Sequence, residues 1–222
     1  MPRVARICAI NYPHHITQRG NNKGAVFFEN VDKEFYLKTL RNYSRKWSLE
    51  IWAYCLMINH VHILAVPGWP ESLARGMGCT NLVYTQYINC KYNRSGRLWK
   101  NRFFSAIIEK EQYLWAAIRY IERNPVRANI VKNAADYQWS SAKAHVLGKE
   151  DHVLSDNEWM GMWADSSHVY RQFLMDENKD VDTSIRNATS TGKPLGSGDF
   201  IRGIENILER SIITGTPGRP RK

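Results

Sequence analysis

The sequence predicts an α+β fold: one antiparallel sheet with helices packed on its faces, followed by a C-terminal helical and basic extension. Three observations carry this. Strand-type and helix-type segments alternate as β, α, β, β, α, β, α over the first two thirds of the chain. The apolar runs 51–58 and 63–67 are separated by so few residues that they must pair as antiparallel neighbours. The 222 residues, 43% hydrophobic and 12% aromatic, suffice for one good-sized core and lie outside the disordered range.

Residues 7–19 are rich in strand formers and stop at Gly20-Asn-Asn-Lys-Gly24, a turn sequence, after which 25–28 can return as a short strand. Tyr36, Leu40, Tyr43 and Trp47 recur at 4-3-4 spacing and mark an amphipathic helix over 32–48. Strands follow at 50–57 and 60–66, closed by Pro67-Gly-Trp-Pro70. Residues 71–92 read as a helix, with Leu73, Met77, Leu82 and Tyr84 spread around it. A loop through Ser95-Gly96 leads to a strand at 103–109 and a helix at 111–123, which Pro125 ends. Beyond Val131 the texture changes. Residues 137–142 read as a packed irregular segment, 187–198 as a polar linker, 199–210 as a short helix capped by Asp199, and 215–222 as a basic tail. The organisation expected is a domain at 1–145, an irregular or helical extension and linker at 146–198, and a short helix with tail at 199–222.

A net charge of +10 and a pI near 9.5 make a polyanion the natural partner, nucleic acid before membrane. No stretch approaches the ~20 apolar residues of a membrane span, and the start of the chain lacks the apolar core of a secretory signal. Cys8, Cys55, Cys79 and Cys90 show no C-x-x-C spacing, as expected of free thiols in a reducing compartment. A cytoplasmic, nucleoid-associated protein is therefore expected.

Asn59-His60-Val61-His62 is the most informative motif. On a strand, His60 and His62 project from one face one pleat apart, a ready pair of metal ligands. Two polar residues at a strand end would look the same. In the helix 111–123, Tyr120 and Asn124 stand four apart and share a face. Asn124 offers an oxygen to a hard cation, Mg²⁺ or Mn²⁺, and Tyr120 a phenol beside it. A phenol is only about one part in a thousand ionised at pH 7, so as a nucleophile it needs a polarised target. Spacing alone also fits a core tyrosine and a helix end, and leaves Tyr113, seven residues earlier, as a rival.

The segments Met57-Ile-Asn-His-Val-His-Ile-Leu64 and Tyr120-Ile-Glu-Arg-Asn-Pro-Val-Arg-Ala128 together resemble the single-tyrosine HUH transposases, and in particular the REP-associated tyrosine transposases. His15-Ile-Thr-Gln-Arg-Gly-Asn-Asn22, Leu98-Trp-Lys-Asn-Arg-Phe103 and the tail Gly218-Arg-Pro-Arg-Lys222 resemble the same branch. The likeness runs over residues 2–145 and the tail. It implies an HUH or RRM-like palm, His60 and His62 as the histidine pair, Tyr120 as nucleophile and Asn124 as polar third ligand. Glutamine is frequent at that last position in the insertion-sequence relatives. Glu122 and Glu109 are weaker third-ligand candidates. The chemistry implied is cutting and rejoining of single-stranded DNA at hairpin repeats through a 5′-phosphotyrosine, with a divalent cation and no nucleotide cofactor. Relatives pair as dimers, whereas this branch is compatible with a monomer, which is the state favoured.

DNA contacts are expected from Lys91, Arg94, Arg97, Lys100 and Arg102, a run without acids, with Trp99 stacking on bases. Arg19, Asn21, Asn22 and Lys23 at the first turn are expected to read base edges. Arg127, and Arg219 and Arg221 in the tail, complete the set. Two other readings compete: a nucleic-acid binder without catalysis, and a zinc hydrolase using His14, His15 or His145 as third ligand.

Overall fold

The computed structural model describes residues 7–155 and 167–212. The sheet has the order β2-β3-β1-β4, from strands β1 (His14–Arg19), β2 (Leu49–Met57), β3 (His60–Pro67) and β4 (Phe104–Ile107). Every pairing is antiparallel. β2 and β3 form the expected hairpin, and both are buried along most of their length, so their side chains are apolar on both faces. Helices α1 (Asn30–Lys46) and α2 (Ser72–Lys91) cover one face, where Leu49 lies under Gly76. The other face carries α3 (Lys110–Glu122), the tyrosine helix.

α1 begins with a capping box in which Glu29 and Asp32 exchange backbone bonds, the reciprocal satisfaction of orphan amides that fixes a helix start. Asp32, fully buried, also accepts from Lys91, Tyr87 and Tyr92 and so ties α1 to α2. Burial works to raise its pKa, but these bonds and the amides of Phe28 and Glu29 outweigh it and hold the carboxyl below its usual range.

Four expectations need correction. Residues 7–13 are irregular, and β1 begins only at His14. Residues 25–28 form no strand: the amides of Val26 and Phe27 share one carbonyl, that of Ile58, and no ladder continues from it. The expected linker at 187–198 is only half linker: residues 187–191 end one helix and 198 begins the next, with 192–197 between them. α5 (Ala142–Leu147), α6 (Ser167–Met175), α7 (Lys179–Thr191) and α8 (Gly198–Ile207) fill the C-terminal third, and Ala188 and Thr189 are small enough to bury against the sheet. Finally, α8 is capped by Ser197, whose hydroxyl accepts from the amide of Phe200, while Asp199 instead pairs with Arg202. The tail, with Arg219 and Arg221, lies outside the described residues.

Candidate active site

Register brings the site together. Thr17 pairs with His62 and Arg19 with His60, so the alternation of β1 places His15, Thr17 and Arg19 on the face of the two histidines. α3 crosses that face and sets Tyr120, 5% exposed, against it. The Tyr120 ring meets His62 at 5.6 Å and His15 at 5.4 Å, both edge to face, and His60 lies 5.0 Å from His62. Among the described residues Tyr113 makes no ring contact with any histidine, so packing separates the two tyrosines where spacing did not.

Hydrogen bonds assign the ring protons. The hydroxyl of Thr189 donates to the Ile185 carbonyl and so accepts from His15 Nδ1 at 2.7 Å. His15 Nε2 then carries a lone pair and accepts from His62 Nδ1 at 3.0 Å. That leaves His62 Nε2 as a lone pair. His60 reaches the same state by another route: Asn59 Nδ2 donates to the Lys23 carbonyl, which turns Asn59 Oδ1 toward His60 Nδ1 at 2.6 Å. Burial is the main cause that keeps all three rings neutral. It lowers His60 to about 4, with help from Arg19 and Arg127, and His15 to about 3, with help from Arg127. His62 lies well below its usual value, through burial and then His15, His60, Arg127 and Arg19. Two neutral imidazoles with free Nε2 atoms suit a divalent cation.

The third position is more constrained. Pro125 does not stop the helical path; the chain turns and continues as a one-turn helix, α4 (Asn124–Arg127), with the proline in its first turn, where no amide is needed. Asn124 donates to the Tyr120 and Ile121 carbonyls, and its Oδ1 accepts from Arg127 at 2.9 Å. One lone pair of that oxygen remains for a cation, beside a guanidinium. Arg127 also lies 4.1 Å from the Tyr120 ring centroid and pairs with Asp182 of α7 at 2.8 Å. Glu122 points elsewhere, into a buried cluster, and Glu109 bonds Ser197. Among the described residues no three His, Cys, Asp or Glu side chains converge on one point. The third histidine that a zinc hydrolase wants is committed otherwise: His14 to Tyr12, His15 to Thr189 and His62, His145 to Glu122.

Residues 8–124, more than half of the chain, match the family described as Transposase IS200 like. The chain belongs to that family. In fold this transposase is similar to a REP-associated tyrosine transposase bound to a REP hairpin, at 16% identity and a TM-score of 0.57, over 71% of this chain and 93% of that one. A second structure, of a transposase candidate from Deinococcus radiodurans R1, aligns at 17% identity over 58% of this chain and 98% of that one, with a TM-score of 0.37. No curated protein matches significantly.

The expected DNA contacts of the transposase divide sharply. Arg19, Asn21, Asn22 and Lys23 are exposed on a short 3-10 turn after β1, with Asn22 and Lys23 in the left-handed region. Arg97, Lys100 and Arg102 are exposed as well, and Arg94 stacks on Phe28. Lys91 is exposed but its ammonium is held by Asp32 and Glu29, which raise its pKa. Trp99 cannot stack broadly on bases: it is 8% exposed, packs with Tyr36 and Tyr84, and donates to the Asn81 carbonyl. Arg127 belongs to the tyrosine site. No described helix is long and apolar enough to cross a membrane. Sequence reasoning gave no role to Thr189 or Asp182, which sit in a segment with no motif.

Proposed function

We propose that this transposase cuts and rejoins single-stranded DNA beside hairpin-forming repeats. The observation that carries the reading is Tyr120, packed edge-on against two neutral histidines in its own chain. The Tyr120 oxygen attacks a phosphodiester; its bond to phosphorus forms as the bond to the 3′ oxygen breaks, and that oxygen leaves with a proton. A 5′-phosphotyrosine retains the energy of the bond, so reversal joins strands without a nucleotide cofactor. His60 and His62, with the Asn124 oxygen, are the residues that would hold Mg²⁺ or Mn²⁺, and the cation would supply polarisation of the phosphate oxygens. Arg127, beside the phenol, supplies a fixed positive charge to the same region. Hairpin repeats enter from the fold neighbour, which was captured on a REP hairpin. A monomer suffices in this reading, since tyrosine and histidines come from one chain.

The test is a covalent-adduct assay with end-labelled hairpin oligonucleotides, Mg²⁺ or Mn²⁺ and a denaturing gel. The expected result is a metal-dependent protein–DNA band, absent in Tyr120→Phe and retained in Tyr113→Phe. Tight binding with no adduct across a broad panel of hairpins would instead favour a binding protein without catalysis.

A further inference from the structure

On the opposite face of the sheet from Tyr120, a groove of about 410 Å³ opens between α2 and the chain entering β4. Gln18, Gly78, Asn81, Trp99, Asn101 and Arg102 line it. Its size falls in the range of sites for small molecules. Gln18 sits on β1 between Thr17 and Arg19, so its side chain leaves the strand away from the histidine face. It is only 3% exposed. Its Nε2 donates to the Asn101 carbonyl at 2.7 Å, and because a carbonyl only accepts, the amide orientation is fixed. Gln18 Oε1 is thereby left buried with no donor. Such an acceptor is kept where something else supplies the proton.

The surroundings say what. Trp99 and Phe103, both mostly buried, give the floor apolar surface, Arg102 stands exposed at the rim, and Arg97 and Lys100 flank it on the same loop. We propose that the groove receives one unpaired nucleobase of the DNA strand, held through an N–H that donates to Gln18 Oε1. This rests on the single-stranded DNA reading of the chain. A base that presents a donor edge to Gln18 and an acceptor edge to Arg102 fits best; guanine carries that pattern, with N1–H and the 2-amino group on one edge and O6 and N7 on the next. Neighbouring β1 residues then serve both faces of the sheet: Arg19 points to the histidine side and Gln18 to the base.

Gly78 permits a clean block. It lies within α2, and a Cβ there meets nothing within 4 Å. Gly78→Leu therefore fills the groove without disturbing packing, and Gly78→Ala controls for the helix. Binding is measured by fluorescence anisotropy in the Tyr120→Phe background, where no chemistry intervenes, with hairpin oligonucleotides carrying single abasic or inosine replacements at each unpaired position. Expected is a loss of at least about tenfold for Gly78→Leu and little change for Gly78→Ala. One abasic position should cost the same, with no further loss when combined with Gly78→Leu, and Gln18→Met should erase the preference at that position alone. Equal binding by Gly78→Leu and Tyr120→Phe alone, or additive losses at every position, would overturn the groove. The adduct assay on the wild-type chain reads the chemistry separately, so either proposal can fail without the other.

Discussion

At the scale of single residues, the site depends on which nitrogen of each imidazole carries its proton. Thr189 fixes His15, and His15 fixes His62, so a hydroxyl two bonds removed decides whether His62 presents a lone pair to a cation. Replacing His15 by Leu should weaken Mn²⁺ binding by about 10- to 100-fold, the usual scale for a partner that orients a metal-ligating histidine. Thr189→Val should shift affinity the same way and less, and Thr189→Ser should restore it. Calorimetric Mn²⁺ titration measures the affinity, and ¹⁵N shifts of the His62 ring report its tautomer; unchanged shifts in Thr189→Val would refute the relay. The histidine pair was legible because strand alternation is local, and two residues apart means one face wherever the strand runs. Thr189 was not legible. It lies far from His15 in sequence, and only the docking of α7 brings the two together.

At the scale of elements, α3 is held from both sides. Tyr120 faces the sheet while Glu122, fully buried, turns the other way and accepts from Ser141 at 2.5 Å, His145 at 2.6 Å and Tyr170 at 2.7 Å. The carboxylate joins α3 to α5 and α6, and together with burial it pushes the Tyr170 phenol well above its ordinary range. Nearby, Arg123 donates to the carbonyls of Leu174, Met175 and Asp176 and closes the C-terminal end of α6. Glu122→Ala strips an acceptor from three buried donors. It should cost about 1–3 kcal/mol of unfolding free energy for each buried donor left without a partner, as read by urea denaturation. Glu122→Gln keeps one acceptor and should cost less. Asp182→Asn should loosen Arg127 from a pair whose side chains are only 19% and 12% exposed, so it should lower stability as well as change the adduct rate, and urea denaturation separates the two effects. The helix 32–48 was visible as periodicity and the hairpin as two apolar runs with a short link, and these elements and the tyrosine helix end within two residues of the expected bounds. α7 was missed because its polar face dominates its composition, and its buried side offers a single large apolar residue, Ile185, beside Asp182, Ala188 and Thr189.

For the whole molecule, pH and salt act on different surfaces. His14, His15 and His62 are buried neutral, with His14 lowered to about 4 by burial against the bond to Tyr12, and His15 to about 3. The unfolded chain binds protons on these rings below pH 6.5 while the folded one does not, so stability falls as pH falls from there and levels off near the folded values. The slope is about 1.4 kcal/mol per pH unit per ring. Melting temperatures in chelator between pH 7 and 4.5 should therefore drop, and His15→Gln should shallow the dependence by one ring's share. DNA affinity should fall with salt at a slope of about 0.7 per phosphate contact, and Arg97→Ala with Lys100→Ala should shallow that slope while leaving base preference alone. The α+β class and the strand pairing were written in the order of periodicities, yet the order β2-β3-β1-β4 and the register of His15 were set by tertiary packing. One consequence concerns time. The histidines and Tyr120 are all made before residue 122, but the residues that aim them, Asp182 and Thr189, come last. At roughly 5–20 residues per second of synthesis, on the order of 3–14 s separate the tyrosine helix from the end of α7. A nascent or truncated chain thus carries Tyr120 and the histidines without the partners that orient them.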